Sequence, residues 1–166
     1  NVNRAEVEYE KGKTKLIWHP AAMTSSLLSS LLPIPASATI NLEREFNAET
    51  RELKVKVSGY SLEEVAYITV LVNQDNMRAA QSGASGDYYH TAPRKFLTAG
   101  TGDQLTLDAE GNYSVEYTYV IPEKVGSFEC VLEDMEVVAF VHGDINDANK
   151  REVYNADHVD VLDSAE

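Results

Sequence analysis

The chain carries one cysteine, Cys130, in 166 residues. A single cysteine excludes an internal disulfide, a CxxC redox pair and a cysteine-rich zinc site. It stands in Ser127-Phe128-Glu129-Cys130-Val131-Leu132 with no adjacent base, so burial as a small hydrophobe is expected rather than nucleophilic chemistry. Long apolar runs are missing as well. The best candidate, Met23 to Leu32, is interrupted by Thr24, Ser25, Ser26, Ser29 and Ser30, and falls short of the roughly 20 residues a membrane helix needs. The opening Asn1-Val2-Asn3-Arg4 lacks the basic-then-apolar pattern of a secretory leader. Positive charge is scarce: 14 Lys and Arg face 27 Asp and Glu, for a net charge of −13. The imbalance grows along the chain, from +1 over residues 1–59 to −5 over 60–122 and −9 over 123–166. An acidic surface repels phosphate backbones and anionic headgroups, so neither nucleic acid nor a membrane surface is an expected partner. Its general effect is solubility.

What remains is the composition of a globular protein, 43% hydrophobic and 25% charged, long enough for one domain with a core and a small appendage. Val2 to Trp18 alternates around Glu10-Lys11-Gly12-Lys13 and predicts a short hairpin. Pro20 suits the first turn of a helix whose Met23, Leu27, Leu28 and Leu31 form one stripe, and Pro33 and Pro35 end it. Residues 1–33 thus form a hairpin-plus-helix segment, and residues 38–166 a second unit. From Ala38 the period becomes two. Ile40, Leu42, Arg44 and Phe46 share one face, as do Leu53, Val55 and Val57 after a polar turn, which predicts an antiparallel hairpin. Glu43 and Glu45 then oppose Lys54 and Lys56 on its outer face. Tyr67 to Val72 is nearly all apolar and reads as a central strand covered on both sides. Gln104–Leu107 and Tyr113–Ile121 flank Asp108-Ala109-Glu110-Gly111-Asn112 and predict another hairpin. Met135–Val141 and Glu152–Val161 supply two more strands. Seven or eight strands with little helix after residue 33 predict a mainly β protein, an antiparallel β-sandwich of jelly-roll-like type.

Residues 81–95 carry the candidate site. This segment leaves the central strand, holds Gly83 and Gly86 as hinges, and concentrates Gln81, Tyr88, Tyr89, His90, Arg94 and Lys95. Flat apolar faces, donors and cations in one loop suit contact with a protein or a glycan. As a catalytic centre the set lacks a partnered nucleophile, since Ser82 and Ser85 have no GxSxG context. No enzyme activity is expected. Tyr113, Tyr117 and Tyr119 are read first as strand formers and second as an aromatic platform. Asp144, Asn146, Asp147 and Asn149 offer oxygen ligands that make calcium a weak candidate, although their spacing is not that of an EF-hand and Asx-rich turns need no metal. No other cofactor is expected. His19, His90, His142 and His158 show no transition-metal spacing.

The order of these elements resembles the C-terminal region of the 28-kDa outer-membrane lipoprotein family of Gram-negative anaerobes. The resemblance covers residues 38–161. It rests on the strands of Ile40–Val57, on Val70-Leu71-Val72-Asn73-Gln74-Asp75 followed by Gln81, on Tyr88-Tyr89-His90 with Arg94 or Lys95, and on Val137-Val138-Ala139-Phe140-Val141 followed by Glu152-Val153-Tyr154-Asn155-Ala156. Thr91 and Ala92 stand where the family pattern has Asn and a second His. Asn1-Val2-Asn3-Arg4, Trp18 and the helix from Pro20 are similar to the tail of a thioredoxin-like domain found upstream in larger relatives. The resemblance implies a surface-exposed outer-membrane location, attachment by a lipid anchor outside this chain, and an adhesin- or receptor-type role toward host protein or glycan. The alternatives are an accessory domain of an extracytoplasmic thiol-disulfide oxidoreductase, and a structural envelope spacer that self-associates.

Overall fold

A computed structural model describes residues 7–10, 13–15, 25–26, 29, 35–79, 88–89, 91–147, 150 and 152–162. Two short strands, β1 (Val7–Glu10) and β2 (Lys13–Lys15), pair antiparallel as the expected N-terminal hairpin. Residues 25, 26 and 29 are helical. The rest of the predicted helix and the boundary at residue 33 lie outside the described residues. The main body contains β3 (Asn41–Asn47), β4 (Glu52–Tyr60), β5 (Tyr67–Gln74), β6 (Met77–Arg78), β7 (Tyr88–Tyr89), β8 (Ala92–Phe96) and β9 (Asp103–Gln104). After these come β10 (Asn112–Val120), β11 (Lys124–Val125), β12 (Phe128–Glu129), β13 (Met135–His142) and β14 (Val153–Asp160).

Two antiparallel sheets enclose the core, and neither closes on itself. One has the order β10-β4-β3; the other has the order β14-β13-β5, with β8 and β9 both on the far edge of β5. Alternation decides which side chains meet between them. Leu53, Val55 and Val57 of β4 pack against Ile68, Val70 and Val72 of β5 and Val137, Ala139 and Val141 of β13, all at 0 or 1% exposure. The expected both-sided burial of β5 is observed, since Thr69, Leu71 and Asn73 on its other face are also buried. Cys130 is buried too. Arg44 breaks the apolar row of β3 for a structural reason: its Nε donates to the Asp160 carbonyl at 2.8 Å and ties β3 to β14 of the opposite sheet.

The predicted β3–β4 hairpin forms, and its register sets Glu43 opposite Lys56 and Glu45 opposite Lys54. Lys56 Nζ lies 3.9 Å from Glu43. The second predicted hairpin does not form. β9 is only two residues long and pairs with β5, while β10 pairs with β4. The intervening segment therefore crosses between sheets. Asp108 caps that crossing, its carboxylate accepting from the Glu110 and Asn112 amides and from the Asn112 side chain. The turn signal was local and genuine, but the partner of each strand was set by inter-sheet packing.

The tyrosine row of β10 points into the sandwich. Tyr113 donates to the Thr39 carbonyl at 2.9 Å, and Tyr117 to Asp103 Oδ2 at 3.2 Å. Burial raises the phenol of Tyr113 to about 12, and burial with nearby carboxylates raises Tyr154 to about 12. A raised phenol keeps its proton in the folded state after the unfolded chain has lost it. Stability from these groups is thus present below pH 10 and is lost as pH rises through 12. Urea midpoints are expected to fall between pH 10 and 12, with less decline in Tyr113→Phe; equal slopes in both proteins would remove Tyr113 from the account.

Candidate binding corner

The candidate loop emerges from β5 through a turn at Asp75 and Asn76, the latter at φ 53°. Asp75 is anchored from both sides: its amide donates to the Asp134 carbonyl at 2.8 Å, and its carboxylate accepts from the Thr91 amide. Thr91 holds φ 57°, a costly conformation for a β-branched residue, so this bond pins the return of the loop. Between these anchors β6 and β7 pair as a two-stranded ribbon, with Met77 opposite Tyr89 and Arg78 opposite Tyr88. Gln81, His90, Ser82 and Ser85 lie outside the described residues. Tyr89 is half-buried, and its hydroxyl is buried without a hydrogen-bond partner.

Arg94 and Lys95 follow on β8 and diverge in role. Lys95 is exposed. Arg94 turns to the chain itself: one guanidinium nitrogen donates to the Phe128 carbonyl at 3.0 Å and lies 3.4 Å from Cys130 Sγ, while the other lies 3.5 Å from Met77 Sδ. It therefore clips the β6–β7 ribbon to a second hairpin, β11–β12. The sequence signal for that hairpin is Val125-Gly126-Ser127-Phe128, a two-residue Gly-Ser loop between apolar residues. Gly126 takes φ 61° as such a turn requires. Val125 and Phe128 are opposite each other and are 37% and 39% exposed, while Lys124 pairs with Glu129 at 3.2 Å.

The three basic residues between positions 60 and 122, Arg78, Arg94 and Lys95, all belong to this corner. The acidic middle third of the chain thus collects its few cations at this corner. The Asp144–Asn149 segment behaves differently. Asp144 Oδ1 accepts from the Asn146 amide at 2.8 Å, and its carbonyl accepts from the Asp147 amide. These bonds close the β13–β14 turn; Asn149 lies outside the described residues. Among the described residues no three His, Cys, Asp or Glu side chains gather as a metal site. His142 is buried and His158 is exposed on β14. No helix among the described residues is long and apolar enough to cross a membrane.

Fold and corner together define an antiparallel β-sandwich domain with two short hairpins clipped together at one corner. No family model matches the chain, and no curated protein matches it in sequence. Among solved structures it is similar to HBP35 of Porphyromonas gingivalis, with a TM-score of 0.70 and 23% identity over 93% of this chain and 50% of that one. It is also similar to a domain of the outer membrane lipoprotein Omp28 from Porphyromonas gingivalis, with a TM-score of 0.53 and 23% identity over 75% of this chain and 94% of that one. The chain thus spans half the length of the HBP35 chain it matches. At this identity the likeness is one of fold. The shared architecture agrees with the resemblance carried by residues 38–161.

Proposed function

We propose that this chain is a non-enzymatic binding domain of a surface-exposed, lipid-anchored outer-membrane protein, and that its contact surface is the corner formed by β6–β7 and β11–β12. The observation that carries the reading is the pairing of exposed Val125 and Phe128 beside the Tyr88–Lys95 segment, held together by Arg94. Apolar side chains exposed in pairs at a rigid hairpin tip, with cations nearby, favour a partner with flat apolar faces and neutral or negative groups. A host protein or a glycan fits that description. The fold shared with a domain of an outer membrane lipoprotein supports the location. No metal or cofactor is assigned to the corner.

The test is binding of the purified chain to an array of extracellular-matrix proteins and glycans, with and without calcium. A saturable ligand is expected, with affinity falling about tenfold or more in Tyr88→Ala/Tyr89→Ala and in Val125→Ser/Phe128→Ser. Undiminished binding in both variants would remove the corner from the reading. A second reading, an accessory domain of a thiol-disulfide oxidoreductase, is favoured by the match to only half of a longer chain. The sequence encoded upstream decides it: a CxxC after a strand supports this reading, and its absence rejects it.

A further inference from the structure

Among the described residues, one edge of the β10-β4-β3 sheet is unprotected. β3 lies against β14 through Arg44. β14 has a register shift and carries Asp157, His158 and Asp160. β8 carries Pro93, Arg94 and Lys95 and is bulged against β5. Charges, proline and bulges are the usual means of blocking edge-to-edge pairing. β10 has none of the last two: it pairs with β4 over nine residues without a register break and contains no proline.

Hydrogen bonding shows which backbone groups face outward. The Asn112 amide and carbonyl both point away from β4, to Asp108, whereas the Gly111 carbonyl and the Ile121 amide point toward the β4 side, to Ser61 and Arg51. Strand alternation then directs the amides and carbonyls of Ser114, Glu116, Thr118 and Val120 to the free edge. Among the described residues nothing pairs with them. The side chains of these four are exposed, and Val115, Tyr117 and Tyr119 on the inner face are half-buried.

The outer face also specifies what would fit. Across the sheet the register aligns Glu43, Lys56 and Glu116 in one row, acid, base, acid. The next member of that row would sit opposite Glu116. We propose that the β10 edge takes an extended polypeptide segment as a fourth strand, with a lysine or arginine opposite Glu116 and apolar side chains beside Val115 and Tyr117. Main-chain bonds supply affinity in this mode, and alternate side chains supply selectivity. The net charge of −13 disfavours a second copy of this chain as the occupant.

The probe is a fluorescein-labelled peptide of the same nine-residue length as β10, alternating valine and threonine with one central lysine. A counterpart carries glutamate at that position. Saturable binding of the lysine peptide is expected, with slowed hydrogen exchange at Ser114, Glu116, Thr118 and Val120. Thr118→Pro removes an outward donor that the folded sheet does not use, so the fold persists while affinity falls about tenfold or more. Glu116→Lys should transfer preference to the glutamate peptide, and it carries the test should Thr118→Pro fail to fold. Binding indifferent to both substitutions, no binding of either peptide, or sedimentation showing a β10-dependent dimer in its place would each overturn the proposal.

Discussion

Gly102→Ala is expected to destabilise the domain by about 3 kcal/mol or more, measured by urea denaturation. Two costs coincide there. Gly102 has φ +83°, a conformation L side chains rarely adopt, and a Cβ would stand 2.5 Å from His142 Nε2 and 3.0 Å from the Ile68 carbonyl. His142 is poorly placed to yield. Its Nδ1 lies 2.7 Å from the Gly143 carbonyl, which can only accept, so Nδ1 bears the proton, and Nε2 lies 2.9 Å from Thr69 Oγ1. The ring is stacked on Tyr67 and tilted against Phe140. A double-mutant cycle separates the costs. In a His142→Ala background the glycine substitution should cost only the backbone part, about 1 kcal/mol. An equal cost in both backgrounds would place all the strain in the backbone and acquit the histidine.

Arg94→Ala is expected to leave global stability within about 1 kcal/mol of the parent while raising the reactivity of Cys130 toward a thiol reagent by about tenfold or more. The reasoning weighs both sides of the guanidinium. It covers Cys130 Sγ and holds the Phe128 carbonyl, yet its Nε is buried without a partner, an unfavourable state that the substitution relieves. The backbone at Cys130 keeps a separate anchor, because Arg51 donates to the Cys130 carbonyl at 3.2 Å and to the Ile121 carbonyl at 2.9 Å. The hairpin should therefore loosen over the cysteine without the sandwich opening. Unchanged thiol kinetics would show that Arg94 does not hold the corner; a large loss of stability would show that it does more than clip two hairpins.

The fold was largely legible because its signals are local. Period-two alternation placed β3, β4 and β10, apolar character placed β13, and the near-continuous apolar run of β5 announced burial on both faces. The alternation also set Glu43 and Glu45 against Lys54 and Lys56 on the outer face, while the pairing of Glu43 with Lys56 and of Glu45 with Lys54 came from the structure. The site was less legible. The aromatic and basic residues of 81–95 drew attention to one corner of the molecule, but a charged side chain in sequence carries no record of what it faces. Arg94 read as a ligand-binding cation and is bonded to the chain's own carbonyls and sulfur. Val125 and Phe128 flank a Gly-Ser turn and form an exposed apolar pair.

Composition and alternation by themselves determined the class of fold, the inward and outward faces of the long strands, the burial of Cys130 and the acidic surface, because each depends on neighbours within a few residues. Tertiary structure alone decided that β9 joins β5 and not β10, that Arg94 joins two hairpins into one corner, and that β10 has no strand on its outer edge among the described residues. Those outcomes depend on which strands reach the same space once both sheets close on a common core, and that competition among distant segments has no signature in any short stretch of chain.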